Sequence, residues 1–290
     1  MVRRTCPTRP TLSTPESIDT IPRHRYDLER KTMANILITN DDGIYSDGLI
    51  ALYDSLAEIG NVTVVAPDRP RSASGHSITL YKPLRVEKVR LANGEFGYAT
   101  NGTPSDCVSL AVLDLAGGPI DLVVSGINRG PNLGYDLTYS GTVSAAMEGA
   151  LYDITSFAIS ITAYDDELDF SLAGGFAKHL GQILLQHKLP RSVLLNVNVP
   201  YISADRLAGV EITRQGKRHY DGRLEKRTDP MGRTYYWLGG DLPVDVLDEG
   251  TDVKAVADDK ISVTPVHLDL TATFLIDQLA EWDVTKFPLK

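Results

Sequence analysis

The chain has 290 residues, 42% of them hydrophobic and 23% charged, with a net charge of −9. Such proportions belong to a globular protein, and the acidic balance argues against a nucleic-acid polymer as partner, while leaving room for a local basic patch. Two cysteines, Cys6 and Cys107, make no disulfide framework and fit a reducing cytoplasm; no apolar run approaches the roughly 20 residues of a membrane span.

Residues 1–32 carry Pro7, Pro10, Pro15 and Pro22 among Arg3, Arg4, Arg9, Arg23 and Arg25, with little apolar periodicity. They lack the apolar segment of a secretory signal, and Glu16, Asp19, Asp27 and Glu29 argue against a transit peptide. The expectation is a disordered N-terminal extension that the folded part does not need.

Ile36-Leu37-Ile38-Thr39-Asn40-Asp41-Asp42-Gly43 reads as a buried strand running into a tight turn. Leu49, Ile50, Tyr53, Leu56 and Ala57 then repeat at helical spacing, Gly60-Asn61 closes that helix, and Val62 to Ala66 is the next strand. Strand, helix and strand so close together make a βαβ unit with a parallel sheet. A polar loop runs from Pro67 to Ser77. Shorter strands are expected at Leu84 to Val89 and Phe96 to Thr100, around the Asn93-Gly94 turn.

Thr103-Pro104-Ser105-Asp106 has the form of a helix start, with Thr as cap, Pro at the first helical position and Asp in the first turn; the helix is expected to reach about Leu115. Ile120 to Val124 is a further parallel strand, expected to end in a polar turn from Ser125 to Asn132. Val143, Met147, Ala150 and Leu151 line one face of the next helix. Phe157 to Ile161, Leu172 to Leu185 and Val193 to Val197 continue as strand, helix and strand. This alternation defines a Rossmann-like, doubly wound, mainly parallel α/β sheet, with a core over 33–200.

Beyond Val199 the pattern changes. Arg214, Lys217, Arg218, Arg223, Lys226 and Arg227 cluster, then strand-like Tyr235-Tyr236-Trp237, then acidic Asp241, Asp245, Asp248, Glu249 and Asp252. Ile261 to Thr264 reads as a strand and Ala272 to Leu279 as a last helix. Residues 201–290 are thus expected to form a C-terminal β-rich arm and terminal helix rather than a continuation of the parallel sheet. The basic cluster reads either as a solvated or paired element, matched by the acidic run, or as an arm that leans over the site and attracts an anionic substrate.

Three turns follow parallel strands and should crowd one edge of the sheet: Asn40 to Gly43, Asp68 to Ser77 and Ser125 to Gly134. Adjacent carboxylates such as Asp41 and Asp42 repel each other and call for a compensating cation; an acidic turn at a helix entry is the plainer alternative. The pooled donors are carboxylate, hydroxyl and amide oxygens with a single histidine, His76, a set that suits Mg²⁺, Mn²⁺ or Ca²⁺ better than zinc or copper. Each Ser or Asn alone could equally be a turn former bonding its own backbone. Tyr139-Ser140-Gly141-Thr142 opens a helix, which is either a plain cap or an anion site for phosphate.

Ile36 to Gly43, Ala66-Pro67-Asp68-Arg69 with Arg71 to Ser77, Gly102 to Cys107, Val124 to Gly134, and Tyr139 to Val143 with Glu148-Gly149 resemble, in order and spacing, the blocks of the SurE family over about residues 33 to 285. The resemblance implies a metal-dependent phosphatase acting on nucleoside 5′-monophosphates, in some members also on 3′-nucleotides and polyphosphate. By position it implies one divalent metal per subunit, Mg²⁺ or Mn²⁺, held by Asp41, Asp42, Ser72 and Asn128. Substrate contacts fall on Asn132, Ser140, Gly141 and Thr142, and Asp41 or Asp42 serves as the catalytic carboxylate. It also implies homodimers or homotetramers with exchanged C-terminal elements.

Three other readings fit less well. A haloacid-type phosphatase spaces its two aspartates by one residue, whereas Asp41 and Asp42 are adjacent. A dinucleotide-binding oxidoreductase lacks its G-x-G-x-x-G after the first strand. A nucleotide sensor would bind through the same groups without hydrolysis. The sequence leaves open which aspartate would take a proton from water, and whether His76 acts as an acid or as a structural support.

Overall fold

A nine-stranded sheet of order β3-β4-β2-β1-β5-β6-β7-β13-β8 organises the protein, whose computed structural model describes residues 33–286 apart from 166, 241, 242 and 283. The expected extension at 1–32 lies outside the described residues. In chain order the first half contains β1 (Ala34–Thr39), α1 (Asp47–Leu56), β2 (Gly60–Pro67), β3 (Val86–Arg90), β4 (Phe96–Thr100), α2 (Pro104–Leu110) and β5 (Leu122–Arg129). Then come α3 (Gly141–Leu151), β6 (Thr155–Ile161), α4 (Ser171–Leu184) and β7 (Val193–Val199). The strands β4, β2, β1, β5, β6 and β7 are mutually parallel, and β3 adds to β4 antiparallel.

The hydrophobic pattern explains the layering. Ile36 and Ile38 on β1 face Leu49, Leu52 and Leu56 of α1 and Ala173, Ala177 and Leu180 of α4, in one core. Leu37 points the other way, with Val65 and Val123, onto Cys107 and Val108 of α2 and Ala145 of α3, as alternation along a strand requires. Burying both faces is what makes these strands read as continuous apolar runs. The capping box at α2 forms as its sequence dictates: Thr103 Oγ1 accepts from Asp106 N at 3.1 Å while Thr103 N donates to Asp106 Oδ2 at 2.8 Å. The helix continues through a π turn to Leu115.

Some expectations need correction. Gly60 opens β2 instead of closing the helix, its amide position set by pairing with Ala34. The polar run from Ser125 is strand up to Arg129, with a bulge between Ser125 and Asn128. Gly126 permits it, since its φ is +143° and a Cβ there would lie 2.3 Å from Ile159 O. In α3 nearly every residue from Gly141 to Ala150 is buried, so no single apolar face exists, and Leu151 is exposed. Burial among neighbouring helices and strands overrides the amphipathic reading.

The C-terminal region also differs. It contains β8 (Gly209–Ile212), β9 (Lys217–His219), β10 (Arg223–Thr228), β11 (Thr234–Gly239), β12 (Val244–Val246), α5 (Asp252–Ala257), β13 (Lys260–His267) and α6 (Ile276–Glu281). Strand β13 pairs antiparallel with β7, and β8 parallel with β13, so the central sheet runs on past residue 200. Among the described strands of this region, the ribbons β10–β11 and β9–β12 stand outside it. The last helix begins at Ile276, after a 3₁₀ turn at Thr273–Leu275. Among the described residues no helix is long and apolar enough to cross a membrane.

Candidate active site

Strand order reverses at β1: β2 lies on one side of it and β5 on the other. Such a switch point opens a crevice at the carboxyl ends of the two central strands, and the residues that follow β1 there are Asn40, Asp41 and Asp42. Asn40 shapes the turn. Its side chain is buried, accepts from Gly43 N at 3.1 Å and donates to Gly43 O at 3.1 Å and to Ser46 Oγ at 2.6 Å.

Asp41 is 5% exposed. Its Oδ1 accepts a hydrogen bond from the Thr142 hydroxyl in the first turn of α3. Burial lifts its pKa from 3.8 to about 6; the Thr142 hydroxyl and backbone pull it down, and the Asp42 charge pushes it up. Asp42 is half-buried, with Oδ2 accepting from Arg129 N at 3.2 Å. Burial raises its pKa too, against the lowering effect of the Arg129 amide and charge. Beside Asp42 is a cavity of about 250 Å³ that Asp47, Arg129 and Phe170 help to line.

The second turn is tied to the first through Arg71 N, which donates to Asp41 O at 2.7 Å. Ser72 comes next and is exposed. Farther along, His76 Nε2 lies 2.8 Å from Glu148 Oε2 on α3, and Ser109 holds the other oxygen of that carboxylate at 2.9 Å. The His76 contact, followed by that of Ser109, holds the Glu148 carboxyl below its usual range. His76 is thus braced by α3, a contact compatible with either role left open by the sequence.

From the third segment, Asn128 is half-buried near the end of β5 and donates Nδ2 to Gly130 O at 2.7 Å, which turns its amide oxygen the other way. Asn132 is buried in an amide network: its Nδ2 donates to Ser160 Oγ at 2.8 Å, its N–H donates to Asn198 Oδ1 at 2.8 Å, and its carbonyl accepts from Asn196 and Asn198. Ser140 caps α3 by accepting from Val143 N at 3.1 Å. Gly141 packs tightly against Asp41, where a Cβ would lie 2.7 Å from Asp41 Cβ and 2.8 Å from Ser74 Oγ.

The turn after β1, the N-terminus of α3 and the loop through Ser74 therefore meet at one point. The bonds engaging Asn132, Ser140 and Thr142 run to the protein itself. Among the described residues no group of three or more His, Cys, Asp or Glu side chains converges; the acidic pair is accompanied by neutral oxygens. One buried and one half-buried carboxylate, both with raised pKa values, together with oxygen donors, fit a hard divalent cation, which would relieve both their repulsion and their desolvation.

Two residues from the charged C-terminal runs stand out, one basic and one acidic. Arg218 is pinned between Asp136 Oδ2 at 2.7 Å and Asp245 Oδ1 at 2.8 Å, with its side chain 9% exposed. It therefore belongs to the paired reading of the basic cluster, and its charge balance with the acidic run was the visible signal. Arg214 Nη2 similarly donates to Glu249 O at 3.1 Å. Asp252 is fully buried and accepts from Gly134 N at 2.9 Å and Gly216 N at 2.7 Å, clamping the segment after β5. Its only signal in the sequence was its place at the end of the acidic run.

A mostly parallel, doubly wound sheet with helices on both faces and an acidic pair at its switch point makes this an α/β protein of the Rossmann-like class. The sequence profile described as "Survival protein SurE" matches residues 36–222, and the chain belongs to this family. It is 48% identical over 248 residues to a protein of Heliobacterium modesticaldum named 5′-nucleotidase SurE, covering 85% of this chain and 91% of that one. It is 49% identical over 251 residues to the Geobacter sulfurreducens protein of the same name, covering 87% and 94%. The crystal structure of the SurE protein from Aquifex aeolicus superposes with a TM-score of 0.74 at 40% identity, covering 86% of this chain and 99% of that one.

Proposed function

We propose that this protein is a metal-dependent 5′-nucleotidase, hydrolysing nucleoside 5′-monophosphates to nucleoside and phosphate. The observation that carries the reading is the adjacent Asp41–Asp42 pair at the switch point of the sheet, Asp41 buried and Asp42 half-buried, with Asp41 held by Thr142 at the start of α3. Membership of a family whose relatives are named 5′-nucleotidase adds the substrate class.

Asp41, Asp42, Ser72 and Asn128 would hold one Mg²⁺ or Mn²⁺ ion. When bound, such an ion polarises a phosphoryl oxygen and acidifies water. Thr142 fixes the Asp41 carboxylate in place through Oδ1. The Arg129 amide does the same for Asp42 through Oδ2, which leaves Asp41 Oδ2 and Asp42 Oδ1 as the oxygens to face the metal and to orient a water or take its proton. The turn at Ser140, Gly141 and Thr142 receives the phosphoryl group, and the glycine lets its oxygens come close to the backbone. The cavity beside Asp42 gives the leaving group room.

The substrate range includes 3′-nucleotides and polyphosphate, and the protein works as a cytoplasmic homodimer or homotetramer. Support for assembly comes from the exposed apolar side chains of the β10–β11 ribbon and the C-terminus: Trp237 is 60% exposed, Leu238 89%, Leu270 92% and Phe274 85%. A panel of 5′-nucleotides, 3′-nucleotides and polyphosphate, assayed with chelator and with Mg²⁺ or Mn²⁺, tests the reading. Nucleotide binding without phosphate release under every condition would leave a sensor in place of an enzyme.

A further inference from the structure

The first turn of α3 has fewer donors to offer a phosphoryl group than its position suggests. The Thr142 hydroxyl is engaged with Asp41, and the Val143 amide with Ser140 Oγ. Recognition of an anion then falls to Gly141 and to whatever faces it. What faces it is Ser74, whose Oγ would lie 2.8 Å from a Cβ at Gly141. That hydroxyl is closed to solvent and has no hydrogen-bond partner among the described residues.

The local backbone aims Ser74 there. Ala73 and Gly75, on either side, both adopt left-handed conformations, with φ of +55° and +57°. Gly75 N donates to Tyr139 O at 3.0 Å, fastening the loop to the residue just ahead of α3. An alanine held at positive φ is uncommon and persists only where its surroundings enforce it. The product of this arrangement is a buried hydroxyl left without a partner, which is costly in the absence of a ligand.

We propose that Ser74 is a substrate-binding residue whose hydroxyl donates to a phosphoryl oxygen lying against Gly141. The inference rests on the phosphatase reading of the same site, and it separates Ser74, which takes the phosphoryl group, from Ser72, assigned to the metal. A hydroxyl donating to a charged oxygen forms one of the stronger kinds of hydrogen bond.

The test is Ser74→Ala, compared with wild type in three measurements: AMP kinetics with Mn²⁺, calorimetric binding of inorganic phosphate to the Mn²⁺-loaded protein, and melting in chelator. Removal of a hydrogen bond to a charged group should raise KM and the phosphate Kd by about tenfold or more. The Mn²⁺ Kd should stay unchanged, and the melting temperature in chelator unchanged or higher, because the hydroxyl has no partner to lose. A phosphate Kd within about twofold of wild type, a value set by the size of such bonds, would overturn the inference. So would a parallel loss of Mn²⁺ affinity, which would make Ser74 a metal ligand, or a melting temperature several degrees lower. Wild-type protein that binds phosphate but releases none from AMP would defeat the phosphatase reading, while the phosphate Kd would still decide the role of Ser74.

Discussion

Thr142 in the first turn of α3 donates its hydroxyl to Oδ1 of Asp41, across 101 positions of sequence. Both side chains are buried. The bond couples the N-terminus of α3, where the proposed function puts the phosphoryl group, to the carboxylate pair, where it puts the metal. If it sets the carboxylate, Thr142→Val should reduce kcat/KM by about tenfold to a hundredfold, the cost of stranding a buried charged acceptor, and shift the acid limb of the pH–rate profile to higher pH. Thr142→Ser should recover most of the loss. Equal activity of Thr142→Val and wild type would show that the bond is incidental.

The pKa of Asp41 makes a prediction with a definite sign. It is raised from 3.8 to about 6, chiefly by burial. The folded protein therefore holds that proton more tightly than the unfolded chain does. Without metal, stability should fall as pH rises between about 4 and 6 and level off above. The loss from this group is on the order of 3 kcal/mol. Asp41→Asn removes the titration, so in chelator it should unfold at equal or higher denaturant than wild type at pH 7.5, while losing phosphatase activity. Urea melts of both proteins from pH 4 to 8 read this directly; parallel curves would refute it.

Metal binding must compete with the same proton. Mn²⁺ affinity should weaken as pH falls below about 6, approaching tenfold per pH unit for one displaced proton, and the rise in melting temperature on adding Mn²⁺ should shrink with it. Calorimetry at pH 5 and pH 7.5 provides the comparison, and pH-independent affinity would exclude Asp41 as a ligand.

Arg218 should matter to stability first. Placed between Asp136 and Asp245 with little exposure, it fastens β9 to the turn after β5, where Gln215 also donates to Gly134 O at 2.9 Å. Arg218→Ala should cost about 2–4 kcal/mol, toward the lower part of the range for broken buried pairs because Asp245 is partly exposed. An unchanged melt accompanied by a raised KM would instead favour the substrate-attracting reading.

Local chemistry made much of this protein legible. The Ile36–Ile38 run, the Thr103–Asp106 capping box and the acidic Asp41–Asp42 turn depend on neighbours a few positions away, and each emerges where the sequence implies it. What stayed hidden is non-local. Nothing around Ile261 says that β13 will pair with β7 and extend the central sheet. Gly126 looks like a turn residue, yet it serves a bulge within β5 against Ile159. Ser74 is one serine among several in a polar loop until Gly141, far along the chain, brings α3 against it. Arg218 announced an acidic partner, but only the fold names Asp136.

The central claim is metal-dependent hydrolysis at the Asp41–Asp42 pair. Its most direct test is phosphate release from AMP by the purified protein, first stripped with chelator and then given Mn²⁺, beside Asp42→Asn shown by melting to be folded. The account predicts no release from the stripped protein, full recovery with Mn²⁺, and none from folded Asp42→Asn in either condition. Release that persists in chelator, or a folded Asp42→Asn protein that turns over AMP at the wild-type rate, would contradict it.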